Sequence, residues 1–384
     1  MPSILTLNAG SSSIRFAVFT ADATQRQMQG KIERIGAQDT RMLVDGVDVA
    51  CPDLDSQTAP GYLLGWLKAQ PLFAHLAAVG HRVVHGLKHV QPAVVTPKLM
   101  AELRRMSPYD PEHMPQEIAL MEAMARQYPK LRQVACFDTS FHRGMPAVAK
   151  LLPIPRRYQA KGVERYGFHG LSYEYLLQEL GRLDGKASQG RVIFAHLGSG
   201  ASLAAVRHGV CQDTSMAFTP AAGVMMGKRT GDLDPGLMYY LARTERMTAA
   251  RFQQLVNHES GLLGVSGTSA DIRDLCEREG TDERAAEAID LFCYQIRKSI
   301  GAYAAALGGV ETMVFSAGIG ENAPEIRKRI CQGLGFLGIE IDARRNARNA
   351  PVISKVGAKV TVRVIRTDEE AMIARSVQRA LRRK

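Results

Sequence analysis

Apolar positions along this chain follow two rhythms, and the alternation between them predicts the architecture. Short strand-like runs occur at Ile4-Leu5-Thr6-Leu7, Ile14–Phe19, Ala78–Val84, Gln133–Phe137, Arg191–Ala195, Ser202–Val206, Thr312–Ser316 and Val360–Ile365. Between them lie stretches with apolar residues three or four apart, the helical period. The clearest spans Glu283 to Leu307, with Ile289, Phe292, Ile296, Ile300, Tyr303 and Leu307 on one face and Gly308-Gly309 as its stop. A second is expected from about Gln116 to Tyr128, presenting Ile118, Met121 and Ala125 and halting before Pro129. A third, Glu369 to Lys384, follows the last strand as an amphipathic helix. Strands alternating with helices indicate an α/β protein.

Two of the strand runs turn sharply through bare, donor-rich tips: Asn8-Ala-Gly-Ser-Ser-Ser13, and His196-Leu-Gly-Ser-Gly200. Each reads as a β-hairpin. Glycine lets backbone amides approach an anion and serine adds hydroxyl donors, so these loops suit phosphate. Further along, at nearly equal distances, two more apolar strands end in polar or glycine-rich tips, Val134–Asp138 and Val314–Asn322. The equal order and spacing predict two related halves facing a shared cleft. Pro146, Pro153 and Pro155 mark a crossover between them.

Composition narrows the class. The 384 residues are enough for two domains, and 46% hydrophobic content fits a globular protein. No apolar run approaches the roughly 18 residues of a membrane span, and the N-terminal residues lack a charged n-region; a cytoplasmic location is expected. The six cysteines are scattered without a C-x-x-C pair and read as reduced, small core residues. The net charge of +11 is dispersed, clustering only at Arg344-Arg345 and Arg382-Arg383-Lys384, so it points to anionic ligands and a solvated basic face, not to nucleic acid. Two motifs mislead. Gly223-Val-Met-Met-Gly227-Lys228-Arg229 has too short a glycine spacing for a Walker A loop and no Ser or Thr directly after the lysine. His81-Arg-Val-Val-His85 has a zinc-protease spacing but no glutamate, and it falls on a strand.

Taken in order, these blocks resemble the acetate kinase family. The match runs from Asn8–Ser13 through His81-Arg-Val-Val-His-Gly86, Phe137-Asp-Thr-Ser-Phe-His142, Arg165-Tyr-Gly-Phe-His-Gly170, His196–Ser202, Gly223–Pro235 and Gly318-Ile-Gly-Glu-Asn322 to Thr367-Asp-Glu-Glu370. The resemblance implies the duplicated actin-like (ribonuclease H-like) ATPase fold, with two domains around a central cleft. One domain would comprise residues 1–141 plus 367–384 and the other residues 142–366. It also implies ATP, Mg²⁺ and a short carboxylic acid as ligands, and a homodimer.

Residue by residue, the resemblance places Asp138, His169 and Arg229 as catalytic, and Arg82, Val84 and Pro220 around the acceptor. Ser11, Ser13, Arg15, His196, Leu197, Gly198, Ser199, Gly200, Asp271, Ile272, Arg273, Gly318, Ile319, Gly320, Glu321 and Asn322 fall at the nucleotide, and Asn8 and Glu369 at the metal, with Glu370 the adjacent alternative. The chemistry agrees. Two anions must meet, and arginine forks hold carboxylate or phosphate while staying charged in a dry site. Asp138 suits orientation of an acceptor that is already ionised, or a hold on Mg²⁺ through water; a helix cap is its bland alternative. A surface ion pair is that alternative for Arg229, and a plain turn residue for Asn8.

The chain departs from the family's pattern at three places. Arg15 stands where the family has lysine, Ser199 where it has asparagine, and Ser107-Pro-Tyr-Asp-Pro-Glu-His113 where it has Ala-Pro-Leu-His-Asn-Pro. The last exchanges a histidine and an apolar residue for Asp110 and Tyr109, with His113 close by, and bears on which acid is accepted.

Overall fold

The computed structural model describes residues 2–10 and 13–382. The chain divides into two compact units: Met1–Phe141 with Gly170–Tyr175 and Asp368–Lys384, and His142–His169 with Leu176–Thr367.

The first unit is built on an eight-stranded sheet. Its strands are β1 (Ser3–Ala9), β2 (Ser13–Thr20), β3 (Arg26–Glu33), β4 (Arg41–Val44), β5 (Val47–Val49), β6 (Leu76–Val83), β7 (Ala93–Val94) and β8 (Arg132–Phe137), in the order β5-β4-β3-β2-β1-β6-β8-β7. The second unit holds β9 (Arg191–Leu197), β10 (Ala201–Arg207), β11 (Val210–Thr214), β12 (Thr312–Ser316) and β13 (Thr361–Val364), in the order β11-β10-β9-β12-β13. Both predicted hairpins form: β1 runs antiparallel to β2, and β9 to β10.

The duplication is real, but its register differs from the one the spacing suggests. β1 pairs in parallel with β6, as β9 does with β12. The strand equivalent to β12 is therefore β6, which carries Arg82, and β8, which precedes Asp138, corresponds to β13. Equal distance along the chain is no guide here, because a parallel crossover can be of any length above its minimum.

Period-two alternation sends successive residues of β1 into different cores. Leu5 and Leu7 join Phe16, Leu63 and Met124 on one face, while Ile4 joins Val134, Met372, Ile373 and Val377 of the C-terminal Glu369–Arg382 helix on the other. That helix covers β1, β6 and β8, and so brings Glu369 and Glu370 to the ends of those strands.

The long helix occupies Glu283–Leu307 as expected. Asp282 caps it by accepting from the amides of Arg284 and Ala285 at 3.0 and 3.2 Å, and Gly308 ends it at φ 71°. The second predicted helix is Met114–Gln127, and Ala125 lies on its exposed side: the buried stripe runs through Met114, Glu117, Ile118, Met121 and Met124. Cys136, Cys211, Cys293 and Cys331 are buried free thiols, whereas Cys276 is exposed. Among the described residues no helix is long and apolar enough to cross a membrane.

Candidate functional site

In the first unit, the carboxyl ends of three neighbouring strands, β1, β6 and β8, converge, the usual ligand position in open α/β sheets. Arg82 on β6 donates from Nε and Nη2 to one oxygen of Asp138, at 2.9 and 2.6 Å. The other Asp138 oxygen accepts from the Leu171 amide at 3.3 Å, in the first turn of the Gly170–Leu183 helix. Asp138 is 1% exposed and so has left water behind. Burial pushes its carboxyl above the ordinary range, and the Arg82 guanidinium pulls it back. Burial opposes the charge on Arg82, yet Asp138, Glu369 and Glu117 together drive its pKa further up, so the cation persists.

Asn8, on β1, donates its side-chain amide to Glu369 at 2.8 Å and to Glu370 at 3.2 Å, while its oxygen faces Arg82 Nη1 at 3.5 Å. In this arrangement Asn8 orients carboxylates. Burial and the neighbouring Glu369 raise the Glu370 carboxyl above its usual value. The two carboxylates are hard-oxygen donors of the kind that could hold Mg²⁺ together with a nucleotide's phosphates, while the amide turns its nitrogen to them and its oxygen to Arg82. Val84, 1% exposed, has its backbone amide held by both oxygens of Glu117 at 3.1 Å.

The segment that departs from the family closes on itself. Asp110 accepts from the amides of Glu112 and His113 at 3.2 Å, and lies 3.0 Å from His113 Nδ1, both side chains being buried. Tyr109 packs against His85, with ring centroids 5.6 Å apart. Ser13 sits at the start of β2, and its carbonyl accepts from Gly10. Arg15 is exposed, directly opposite Lys31 across β2–β3, and lines a 290 Å³ cavity with Glu370. Ser11 lies outside the described residues.

The second unit draws together five of the predicted segments. His169 has φ 58° and ψ 25°, the left-handed region. Its ring stacks on His196 at 4.2 Å, with Nδ1 2.8 Å from the Ser202 hydroxyl. A Cβ placed on Gly200 would lie 3.3 Å from His169 Nε2, so this nitrogen faces the Gly198–Gly200 loop. The Gly227 amide donates to the Ser199 carbonyl at 3.1 Å, which brings the Arg229 segment to that loop. Ala270, preceding Asp271, and Ala317, preceding Gly318, border Gly227 and Gly198 respectively. Arg229 and Pro220 are half-buried.

Several predicted nucleotide residues do structural work with their side chains. Leu197 and Ile272 are core residues. Asp271 caps the Ile272–Arg278 helix and pairs with Arg273 at 2.6 Å. Glu321 accepts from the Ala317 and Thr367 amides at 2.8 and 3.1 Å. Asn322 donates to the Gly318 carbonyl, and Ile319 is half-buried in the same Ala317–Asn322 turn. The Gly198 amide closes its loop by donating to the Gly200 carbonyl at 3.0 Å, and what remains exposed toward a ligand is Ser199 and Gly318.

Sequence reasoning missed two buried charges. Glu117 lies on the apolar stripe of its helix, where burial raises its carboxyl well above the ordinary value. Arg327 is fully buried and donates to the Gly320 carbonyl, to Asn346 and to Asn349. For both, the available signal was a charged residue in an otherwise apolar phase.

The Acetokinase family profile matches residues 3–375. An acetate kinase from Rhodopseudomonas palustris (strain TIE-1) is 44% identical, covering 98% of this chain and 98% of its own. A propionate kinase from Citrobacter rodentium is 40% identical, covering 98% and 96%. The crystal structure of Porphyromonas gingivalis acetate kinase superposes with a TM-score of 0.89 at 36% identity, over 99% of this chain and 100% of that one. The two sheets of like topology are those of the actin-like ATPase fold, and the chain belongs to the acetokinase family, phosphotransferases with a carboxyl group as acceptor.

Proposed function

We propose that the protein transfers the γ-phosphoryl group of ATP to a short-chain carboxylate, acetate first and propionate or another small acid next, giving ADP and an acyl phosphate in a reversible reaction. A carboxylate oxygen attacks phosphorus in line, the new O–P bond forms as the bond to the ADP oxygen breaks, and no covalent enzyme intermediate is needed. The observation that carries this reading is the buried Arg82–Asp138 pair, bonded at 2.6 Å beside Val84. It presents a fixed guanidinium to an incoming anion, and Asp138 holds that guanidinium's plane.

Arg82, Val84 and Pro220 are assigned to the acceptor, with Asp138 orienting it. His169, through Nε2, and Arg229 are assigned to the charge that builds on the phosphoryl oxygens. The glycine loops Gly198–Gly200 and Gly318–Gly320 are assigned to the nucleotide, with Ser199 and Gly318 as their exposed positions. Glu369, steadied by Asn8, would hold Mg²⁺, which when bound neutralises phosphate charge. In this scheme the N-terminal domain, residues 1–141 with 367–384, carries Arg82, Val84, Asp138, Asn8 and Glu369, and the C-terminal nucleotide-binding domain, residues 142–366, carries the glycine loops with His169, Arg229 and Pro220. A cytoplasmic homodimer completes it. Support for association comes from the Gly236–Thr244 helix, which has no buried residue and exposes Tyr239 by 71% and Tyr240 by 60%.

A nucleotide-binding protein that has lost transfer is the second reading, favoured by Asp110 standing at a histidine position. The local use of that carboxylate by His113 weakens it. Incubation with MgATP, hydroxylamine and a panel of short acids separates the readings. Acyl hydroxamate is expected, greatest with acetate or propionate; free phosphate alone would mark a hydrolase, and no product a binder.

A further inference from the structure

We infer that His142, itself held by Cys211, is a positioning residue that fixes the backbone of His169 in its left-handed conformation. The inference rests on the role proposed for His169. A non-glycine residue in this region costs on the order of 1 kcal/mol or more and persists only where its surroundings hold it. The torsion φ of His169 turns about the bond leaving the Phe168–His169 peptide plane, so whatever anchors the Phe168 carbonyl anchors one side of that torsion.

The anchor is His142. Its Nε2 lies 2.8 Å from the Phe168 carbonyl oxygen and its Nδ1 lies 3.2 Å from Cys211 Sγ. A carbonyl can only accept, so Nε2 carries the proton and Nδ1 presents a lone pair to the Cys211 thiol, whose one proton it shares with the Asp213 carbonyl at 3.4 Å. Both residues are buried, at 0% and 1% exposure. Burial lowers the His142 pKa to about 4 and raises that of the Cys211 thiol, so imidazole and thiol are both neutral at physiological pH and the hydrogen-bond directions do not change. The turn is shaped for this contact. Gly167 has φ 74°, and a Cβ there would come within 2.6 Å of both His142 Cγ and Thr214 Cγ2, so only glycine lets the ring reach the Phe168 carbonyl.

With Phe168 anchored, the His169 ring keeps its stack on His196, its contact with Ser202 and the aim of Nε2 at the Gly198–Gly200 loop. His142→Phe keeps the volume and removes the donor, and turnover should fall at least ~10-fold while the KM for ATP changes less than about 3-fold. His142→Gln restores a donor and should bring kcat back to within about 3-fold of the unmodified enzyme. Unchanged kcat per folded molecule in His142→Phe, or equal impairment of both variants, would overturn the inference. If His142→Phe does not fold, Cys211→Val decides. It leaves Nδ1 without its thiol and should lower kcat about 3-fold, and an unchanged kcat would overturn the inference. His169→Ala, measured alongside, separates the two levels: full turnover in that variant removes the role of His169 itself, whatever His142 does.

Discussion

Gly170→Ala tests how tightly the end of β8 is built. A Cβ at this position would lie 2.8 Å from the Asp138 carbonyl carbon and closer still to its oxygen, with Phe141 Cβ at 3.0 Å. To reach an ordinary separation, the Asp138 main chain must retreat by about 1 Å or more, since the Phe141 contact blocks the other direction. The next residue, Leu171, donates to the Asp138 carboxylate, so the same shift loosens that bond and turns the side chain on which Arg82 rests. Overpacking of this kind costs roughly 1–3 kcal/mol of stability. A misplacement near 1 Å at a positioning group costs on the order of a hundredfold in rate, or about 2.7 kcal/mol of barrier. The assay is kcat/KM for the acceptor with saturating MgATP, alongside a urea melt. Gly185→Ala is the control, because a Cβ there meets nothing within 4 Å; its kinetics and stability should be unchanged. Full activity in Gly170→Ala would refute both the packing argument and the dependence on Asp138.

Arg82→Ala should mainly raise the acceptor KM, whereas Arg229→Ala should mainly lower kcat; steady-state kinetics in both substrates decides, and full activity in both would remove the site assignment. Arg327→Met leaves the buried Gly320 and Asn346 carbonyls without their donor, about 1–3 kcal/mol each, so denaturant unfolding should show a loss of about 2–6 kcal/mol; stability within about 0.5 kcal/mol of the parent would contradict this. His81 is buried and its pKa is lowered from 6.5 to about 4 by that burial. The unfolded chain therefore binds this proton near pH 6.5 and the folded one only near pH 4, so this residue's contribution is lost as pH falls through that window, by about 3 kcal/mol in all. The stability gap between the parent and His81→Gln should shrink by that amount between pH 7 and 4 in urea melts, and a gap independent of pH would contradict it.

Periodicity carried the parts of the fold that depend on one element at a time. The Glu283–Leu307 helix, both glycine-tipped hairpins and the final helix could be read because their apolar positions and stops are local. Sheet order could not, since pairing β6 rather than β8 with β1 is decided by how crossovers pack. At the site, the types of residue were legible but their direction was not. Glu321 looks like a ligand in a glycine-rich turn, yet its carboxylate closes that turn. Asn8 looks like a metal ligand, yet its amide nitrogen faces two glutamates. Glu117 hid in an apolar stripe, where a charge reads as a break in the pattern and is in fact the group that holds Val84. Ala125 was misplaced because Met124, one position earlier, reaches the core and leaves the last helical turn outside.

In the proposed reaction an oxygen of the carboxylate itself attacks the γ-phosphorus. Acetate labelled with ¹⁸O in both carboxyl oxygens, incubated with the enzyme, MgATP and hydroxylamine, reports this directly. Hydroxylamine breaks the acyl C–O bond, so direct transfer predicts one ¹⁸O in each released inorganic phosphate. Phosphate without label, or label recovered in AMP, would contradict the account.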